Sequence, residues 1–348
     1  MRSITCQGTP NEIGLQHGEQ AKAEIHGSVE FYKSLFKRDC SMDWSEVCQT
    51  AGKFFPLLEA SFPDYLQEIK GVAKGAGLDV ASILALNVRT EIAYGMFNDG
   101  CTAFSWKSDK KSFLAQNWDW DNEQAPNLIS MHIRPLTSSK PAIHMITEGG
   151  IIGKIGLNSK GVGVTLNAVK CAGVDFKKTP CHLALRAALD SNSHTEAIEK
   201  IERLGVASAC HILIADSTGA VGLECSSNDI VHLHMGDEGE PWPGVITHSN
   251  HFVQKHLNAV SKIFFPDSVP RLDRIRELIG RSMSGPGFDT IDGILKDEKG
   301  YPGAICRAPT EKSRTETLFA IVMDLTEEKA TVKVGRPTNP TGVFELHP

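Results

Sequence analysis

The chain has 348 residues, 41% of them hydrophobic and 22% charged, with a formal net charge of −6. It can bury a sizeable core, as one large domain or two modest ones. The acidic balance and the absence of any basic run exclude a nucleic-acid footprint, and no stretch reaches the roughly 18 apolar residues of a membrane span.

Taken in chain order, the first hundred residues read as helical. Apolar positions recur at helical spacing from Glu12 to Leu35, and Phe54, Phe55, Leu57 and Leu58 mark a second helix ended by Ser61-Phe62-Pro63. Pro63 suits the first turn of a third helix over residues 64–74, closed by Gly75 and Gly77. Asp79 is the expected N-cap of a fourth, which carries Ile83, Leu84, Leu86 and Val88 and runs through Asn87-Val88-Arg89-Thr90-Glu91 towards Gly100.

Beyond residue 100 the pattern changes to short strands with turn signals. Strands are expected over 102–107, 113–118, 128–133, 143–147, 153–157 and 162–167, with Asn158-Ser159-Lys160-Gly161 as a hairpin turn. Two helices follow, over 181–191 and 195–204, the second opened by the capping-box pattern Ser193-His194-Thr195-Glu196. Strands return over 211–216, 221–225, 230–234 and 245–247, then helices over 269–282 and 290–296, then strands over 317–324 and 330–334. Strand runs separated by pairs of helices point to an α+β fold of two stacked sheets with helices on both outer faces. The expected organisation is a helical N-terminal part, residues 1–100, and a catalytic part, residues 101–348.

The chemistry centres on Asp99-Gly100-Cys101-Thr102. Glycine before the cysteine lets the backbone bend and be approached closely. A cysteine freed at a chain end also brings its own base, an α-amine with a pKa of about 7.7–8.0. A buried cysteine at a loop–strand junction is the plain alternative, and local sequence leaves it open. Asp119, in Gln116-Asn117-Trp118-Asp119, can return to the nucleophile's end if the two lie on neighbouring strands. Asn250 follows a strand and offers an amide donor to an oxyanion. Arg314, in Lys312-Ser313-Arg314, offers a guanidinium to a carboxylate or carbonyl. His248 and His251 find no third ligand at metal-binding spacing, so no metal is expected.

These segments, with Cys6-Gln7-Gly8-Thr9-Pro10, Ile151-Ile152-Gly153-Lys154, Ile305-Cys306-Arg307-Ala308 and Gly335-Arg336-Pro337-Thr338-Asn339-Pro340, resemble the fungal acyl-coenzyme A:isopenicillin N acyltransferase family in order over nearly the whole chain. The resemblance implies a four-layer αββα N-terminal-nucleophile (Ntn) hydrolase fold and a proenzyme that cuts itself between Gly100 and Cys101. It makes Cys101 the nucleophile, with Asp119 and Arg314 as polar residues around it and Asn250 as oxyanion donor. Ser226 and Ser313 match serines the family needs for processing or activity. The implied substrates are isopenicillin N, 6-aminopenicillanic acid and acyl-coenzyme A, with no resident cofactor and no metal. The implied partner is the chain's own N-terminal fragment; no nucleic acid and no membrane is expected. Ala103 and Trp120 stand where the family pattern has a hydroxyl residue and a phenylalanine, which implies a differently shaped pocket.

Two other readings stay open from sequence: an amidohydrolase of penicillin-like or N-acyl amino acid amides, and an unprocessed ligand-binding paralogue. Nine cysteines, widely spaced and without C-x-x-C, read as reduced thiols. With no signal-peptide pattern at Met1 and no peroxisomal tripeptide in Leu346-His347-Pro348, the expected location is cytoplasmic.

Overall fold

The computed structural model describes residues 1–93, 100–136, 139–257, 259 and 266–348. Asp99, and the expected run of the fourth helix over residues 94–99, lie outside these; before them that helix is broken at Val88 (φ −120°) into two. The chain starts with β1 (Arg2–Gly8), then α1 (Pro10–Gln20), α2 (Lys22–Cys40), α3 (Trp44–Gly52), α4 (Phe55–Ser61), α5 (Pro63–Ala76), α6 (Val80–Asn87) and α7 (Arg89–Ile92). Next come β2 (Gly100–Lys107), β3 (Ser112–Asp121), β4 (Leu128–Pro135), β5 (Ile143–Glu148), β6 (Ile155–Asn158) and β7 (Gly163–Ala168). The helices α8 (Cys181–Leu189) and α9 (His194–Leu204) precede β8 (Cys210–Ala215), β9 (Ala220–Cys225), β10 (Ile230–His234) and β11 (Val245–His248). The chain ends with α10 (Ser268–Arg281), α11 (Phe288–Leu295), β12 (Thr315–Asp324), β13 (Lys329–Val334) and β14 (Gly342–Leu346).

The strands form an eight-stranded sheet, β1-β4-β5-β6-β7-β8-β9-β10, and a six-stranded sheet, β11-β2-β3-β12-β13-β14. The sheets pack face to face through β2, β3 and β13 against β6, β7 and β8, with α8 behind the larger sheet and α10 and α11 behind the smaller. Leu114, Trp118, Ile321 and Met323 fill the space between the sheets. A second core joins Phe104, Trp106, Ala115 and Val322 to Leu272, Ile275 and Ile279 of α10 and Ile291 and Leu295 of α11. The expected α–β–β–α layering is therefore present.

Differences from expectation cluster in the first hundred residues. The expected helix from Glu12 to Leu35 is two helices, because Ala21 leaves helical geometry at φ −112° and caps one while opening the other. β1 was not expected; Ile4 and Cys6 are buried between exposed Ser3, Thr5 and Gln7, a short strand alternation in otherwise polar sequence. It pairs in parallel with β4, so the N-terminal part contributes a strand to the main sheet. Gly77 closes α5 in the left-handed region at φ +71°, but Gly75 does not. Gly75 and Gly71 lie instead against α1, where Gly14 and Gly18 face them. A Cβ at any of the four would overlap main-chain atoms of the other helix. Ser193 caps α9 as expected, although Glu196 turns its carboxylate to the Asn192 N–H (2.8 Å).

Candidate active site

β2 and β3 form an antiparallel hairpin in which Gly100 pairs with Asp119 and Cys101 with Trp118. Cross-strand partners point to the same face and neighbours to opposite faces. Cys101, 1% exposed, thus lies with Trp118 and Trp120 in the core between the sheets. Asp119, fully buried, lies on the outer face towards α10 and α11. The expected return of the carboxylate to the nucleophile's end occurs, but on the other side of the sheet from the thiol. There it faces its cross-strand partner Gly100, where a Cβ would sit 3.0 Å from Asp119 Oδ2.

The inner face is charged. Lys154 Nζ lies 3.9 Å from the centroid of the Trp118 ring, which stacks on Trp120 at 6.2 Å. Lys154 and Arg89 both bind Glu148 Oε2, Arg89 Nη2 at 2.8 Å. Gln124 Nε2 donates to Glu148 Oε1 at 3.0 Å, and the Tyr32 hydroxyl donates to the same oxygen. Burial alone would raise the Glu148 pKa, but Arg89 and Lys154 outweigh it and hold the carboxyl well below its usual range. Asn87 ties this group together, donating to the Gly150 carbonyl (2.8 Å) and accepting from Ile152 N (2.9 Å). The segments 87–91 and 151–154 thus meet in one buried cluster behind Trp118.

The outer face carries alternating charges. Asp119 accepts from Thr317 Oγ1 (2.7 Å) and from Arg307 Nε (3.1 Å). Arg307 Nη2 also binds Asp267, which accepts from Arg271 Nε at 2.8 Å. Burial raises the Asp119 pKa, and Arg307, Arg271 and Thr317 oppose the rise. Asp267, also penalised by burial, is held below its ordinary value by Arg271 and Arg307. Arg271 Nη1 donates to the Cys101 carbonyl (2.6 Å) and to Thr102 Oγ1 (2.9 Å), and its Nη2 donates to Asn250 Oδ1 (2.7 Å).

Asn250 therefore presents its oxygen to the junction. Oδ1 accepts from Cys101 N (3.0 Å), while Nδ2 donates to the Ala168 carbonyl (3.0 Å). Its backbone N–H is anchored on Ser268 Oγ (2.9 Å) at the start of α10. In this uncut chain the residue expected as an oxyanion donor acts as an acceptor towards the nucleophile's own nitrogen.

The structure brings Gly100, Cys101, Asp119 and Asn250 together but not the other three expected residues. Arg314 bonds Asp121 (2.9 Å) and Glu123 (2.5 Å) with its side chain 44% exposed, so Arg307 and Arg271 are the guanidiniums at the junction. Arg314 and exposed Ser313 line a groove of about 460 Å³ with Leu35, Arg38, Asp39 and Trp120. Trp120 contributes to its wall. Ser226 closes the turn after β9, accepting from Asn228 N (3.1 Å) and Asp229 N (3.0 Å) and donating to Asp229 Oδ1 (2.5 Å). His248 Nε2 pairs with Glu224 (2.8 Å). Sequence reasoning missed Arg271, which sits in α10 among Arg274, Arg276 and Arg281 like one more solvated cation. It quoted Arg307 and Lys154 within motifs but gave them no role.

Cys101 thus stands at the start of β2, between two sheets faced by helices. Residues 106–339 match the model of the family described as acyl-coenzyme A:6-aminopenicillanic acid acyl-transferase. The chain is 40% identical over 355 aligned residues to the acyl-coenzyme A:6-aminopenicillanic-acid-acyltransferase 40 kDa form of Emericella nidulans, covering 99% of this chain and 96% of that protein. It belongs to this acyltransferase family. Among solved structures, a variant of conjugated bile acid hydrolase from Clostridium perfringens aligns with a TM-score of 0.49 at 12% identity, over 71% of this chain and 92% of that one. Penicillin V acylase from Agrobacterium tumefaciens aligns with a TM-score of 0.46 at 12% identity, over 71% and 86%. Among the described residues no helix is long and apolar enough to cross a membrane.

Proposed function

We propose that the chain is a self-processing cysteine acyltransferase that cuts itself before Cys101. The freed cysteine then exchanges the L-α-aminoadipyl side chain of isopenicillin N for a hydrophobic acyl group from acyl-coenzyme A, by way of 6-aminopenicillanic acid. The observation that supports this best is the treatment of the junction. The Cys101 N–H and C=O are both held, by Asn250 and Arg271, while the residue opens a buried strand.

In the first stage the Cys101 sulfur attacks the Gly100 carbonyl carbon. The carbon–nitrogen bond breaks, the thiol proton ends on the leaving nitrogen, and Gly100 is left as a thioester. Water opens it to the Gly100 carboxylate, a free thiol and a free α-amine. In the second stage that amine takes the thiol proton and the thiolate attacks the substrate amide, releasing 6-aminopenicillanic acid and leaving an acyl-enzyme for water to clear. Acyl-coenzyme A then loads the thiol, releasing coenzyme A, and the acyl group passes to the β-lactam amine. Asp119 and Arg307 close the outer side of Gly100, where a Cβ would sit 3.0 Å from each. The fragments, 100 and 248 residues long, stay together as a heterodimer. No metal or resident cofactor takes part, and nine cysteines outside any disulfide suit a reducing compartment such as the cytoplasm.

Intact mass of the purified protein tests the reading. Two fragments divided at Gly100/Cys101 are expected from the wild type and one chain from Cys101→Ser; an undivided wild type would refute it. The transferase step is tested with saturating 6-aminopenicillanic acid. If acyl groups still go only to water, the enzyme is an amidohydrolase instead.

A further inference from the structure

We propose that Arg271 is a positioning residue for self-processing: it locks the Asn250 amide with its oxygen towards the Cys101 nitrogen, forming a cradle for the α-amine that appears on cleavage. This deepens the proposed function and rests on it.

Arg271 is one of the largest fully buried side chains of the molecule, its side chain 1% exposed. A guanidinium offers five donors in a fixed planar fork and cannot accept. Here the fork is spread over Asp267, the Cys101 carbonyl, Thr102 Oγ1 and Asn250 Oδ1, with every contact between 2.6 and 2.9 Å. Burying such a group is costly unless its donors are used, so its neighbours are constrained as tightly as it is.

The constraint on Asn250 is directional. Its side chain meets two donors on one side, Arg271 Nη2 and Cys101 N, and one acceptor on the other, the Ala168 carbonyl. Turning the amide over would oppose donor to donor twice and oxygen to oxygen once, so this orientation alone satisfies the network. Without the guanidinium, one of those two donors is gone and the preference weakens.

The nitrogen that Asn250 holds is the leaving group of the first stage and the base of the second. With one N–H fixed on Oδ1, its lone pair is turned away from Asn250 as the bond to Gly100 breaks. Arg271 fixes the same residue from the far side through the Cys101 carbonyl, so nucleophile and amine cannot rotate independently. The first turn of α10 supplies both ends of the clamp, with Ser268 Oγ accepting from Asn250 N.

The test is cell-free synthesis of the full chain, following the split before Cys101 by intact mass against time. Removing a buried charged donor at the junction slows the split about 100-fold in Arg271→Ala. Arg271→Lys keeps the charge and loses the fork, and is expected to be about 10-fold slow. Ile275→Ala, one turn along α10 and buried in the second core, controls for general destabilisation. It should lower the melting temperature yet split within about threefold of wild type. A wild-type rate for Arg271→Lys overturns the proposal, as does an Ile275→Ala chain as slow as Arg271→Ala. If Arg271→Ala fails to fold, Arg271→Lys read against Ile275→Ala decides. A wild type that stays whole instead overturns the self-cleavage reading itself, and the role of Arg271 with it.

Discussion

The two faces of the β2–β3 hairpin both bury ionised groups, but they arrange them differently. Behind Trp118 one carboxylate, Glu148, is shared by two cations, Arg89 and Lys154. Behind Gly100 two carboxylates, Asp119 and Asp267, alternate with two guanidiniums, Arg307 and Arg271. The inner trio sums to one positive charge on the face that carries the thiol. The outer quartet sums to zero and ties strand ends to α10. One face keeps a net charge beside the thiol, and the other is balanced.

The comparison makes graded predictions. The largest effect should come from Glu148→Ala, which strands two buried cations at a cost of about 3–5 kcal/mol. The melting temperature of the uncut Cys101→Ser chain should fall by roughly ten degrees; an unchanged midpoint would show the trio to be no keystone. His17, behind the same face, accepts from the Gly150 N–H at 3.1 Å. Burial, aided by Arg186, pushes its pKa down from 6.5 to about 3. The unfolded chain therefore binds a proton below pH 6.5 that the folded chain refuses. Stability from neutral His17 is complete above that pH and declines as pH falls towards 3, by up to about 1.4 kcal/mol per unit. His17→Gln should remove this dependence, so the gap between variant and wild type narrows by about 2 kcal/mol from pH 7 to pH 5. A constant gap in urea unfolding at the two pH values would contradict it.

On the outer face Asp119→Asn should cost less, about 1–2 kcal/mol, because Arg307 keeps Asp267 as partner. A loss equal to that of Glu148→Ala would erase the distinction between the faces. The smallest effect on stability belongs to Arg314→Ala. Its pairs are exposed and worth under about 1 kcal/mol, so its melting point should stay put. Any change in turnover should appear in KM, through the groove beside Trp120; a kcat loss at constant KM would place Arg314 in the chemistry after all.

Legibility followed the physics of each element. Hairpins and most strands could be read because alternation and turn residues are local, and the layering followed from their order. The face of Asp119 could not. It depends on β2 and β3 pairing through Lys107 and Ser112, and a one-residue slip would have put the carboxylate beside the thiol. Arg307 and Arg314 both precede β12, and nothing in their spacing says which guanidinium turns inwards. Arg271 was hidden by its own helix, where four arginines in eleven residues look like a solvated stripe. The α1–α5 contact did leave a trace, Gly14 and Gly18 against Gly71 and Gly75, whose meaning depends on knowing that the two helices touch.

Under the proposed self-cleavage, the parallel pairing of β1 with β4 has a consequence for the life of the protein. Residues on the N-terminal side of the cut supply a strand of the larger sheet and two of the groups around Glu148, Tyr32 and Arg89. Once the bond before Cys101 is gone, nothing covalent keeps them there. Unfolding then turns one molecule into two, and refolding becomes a second-order encounter that slows with dilution. The uncut chain refolds at a rate independent of concentration, whereas each half of the cut protein must first find its partner.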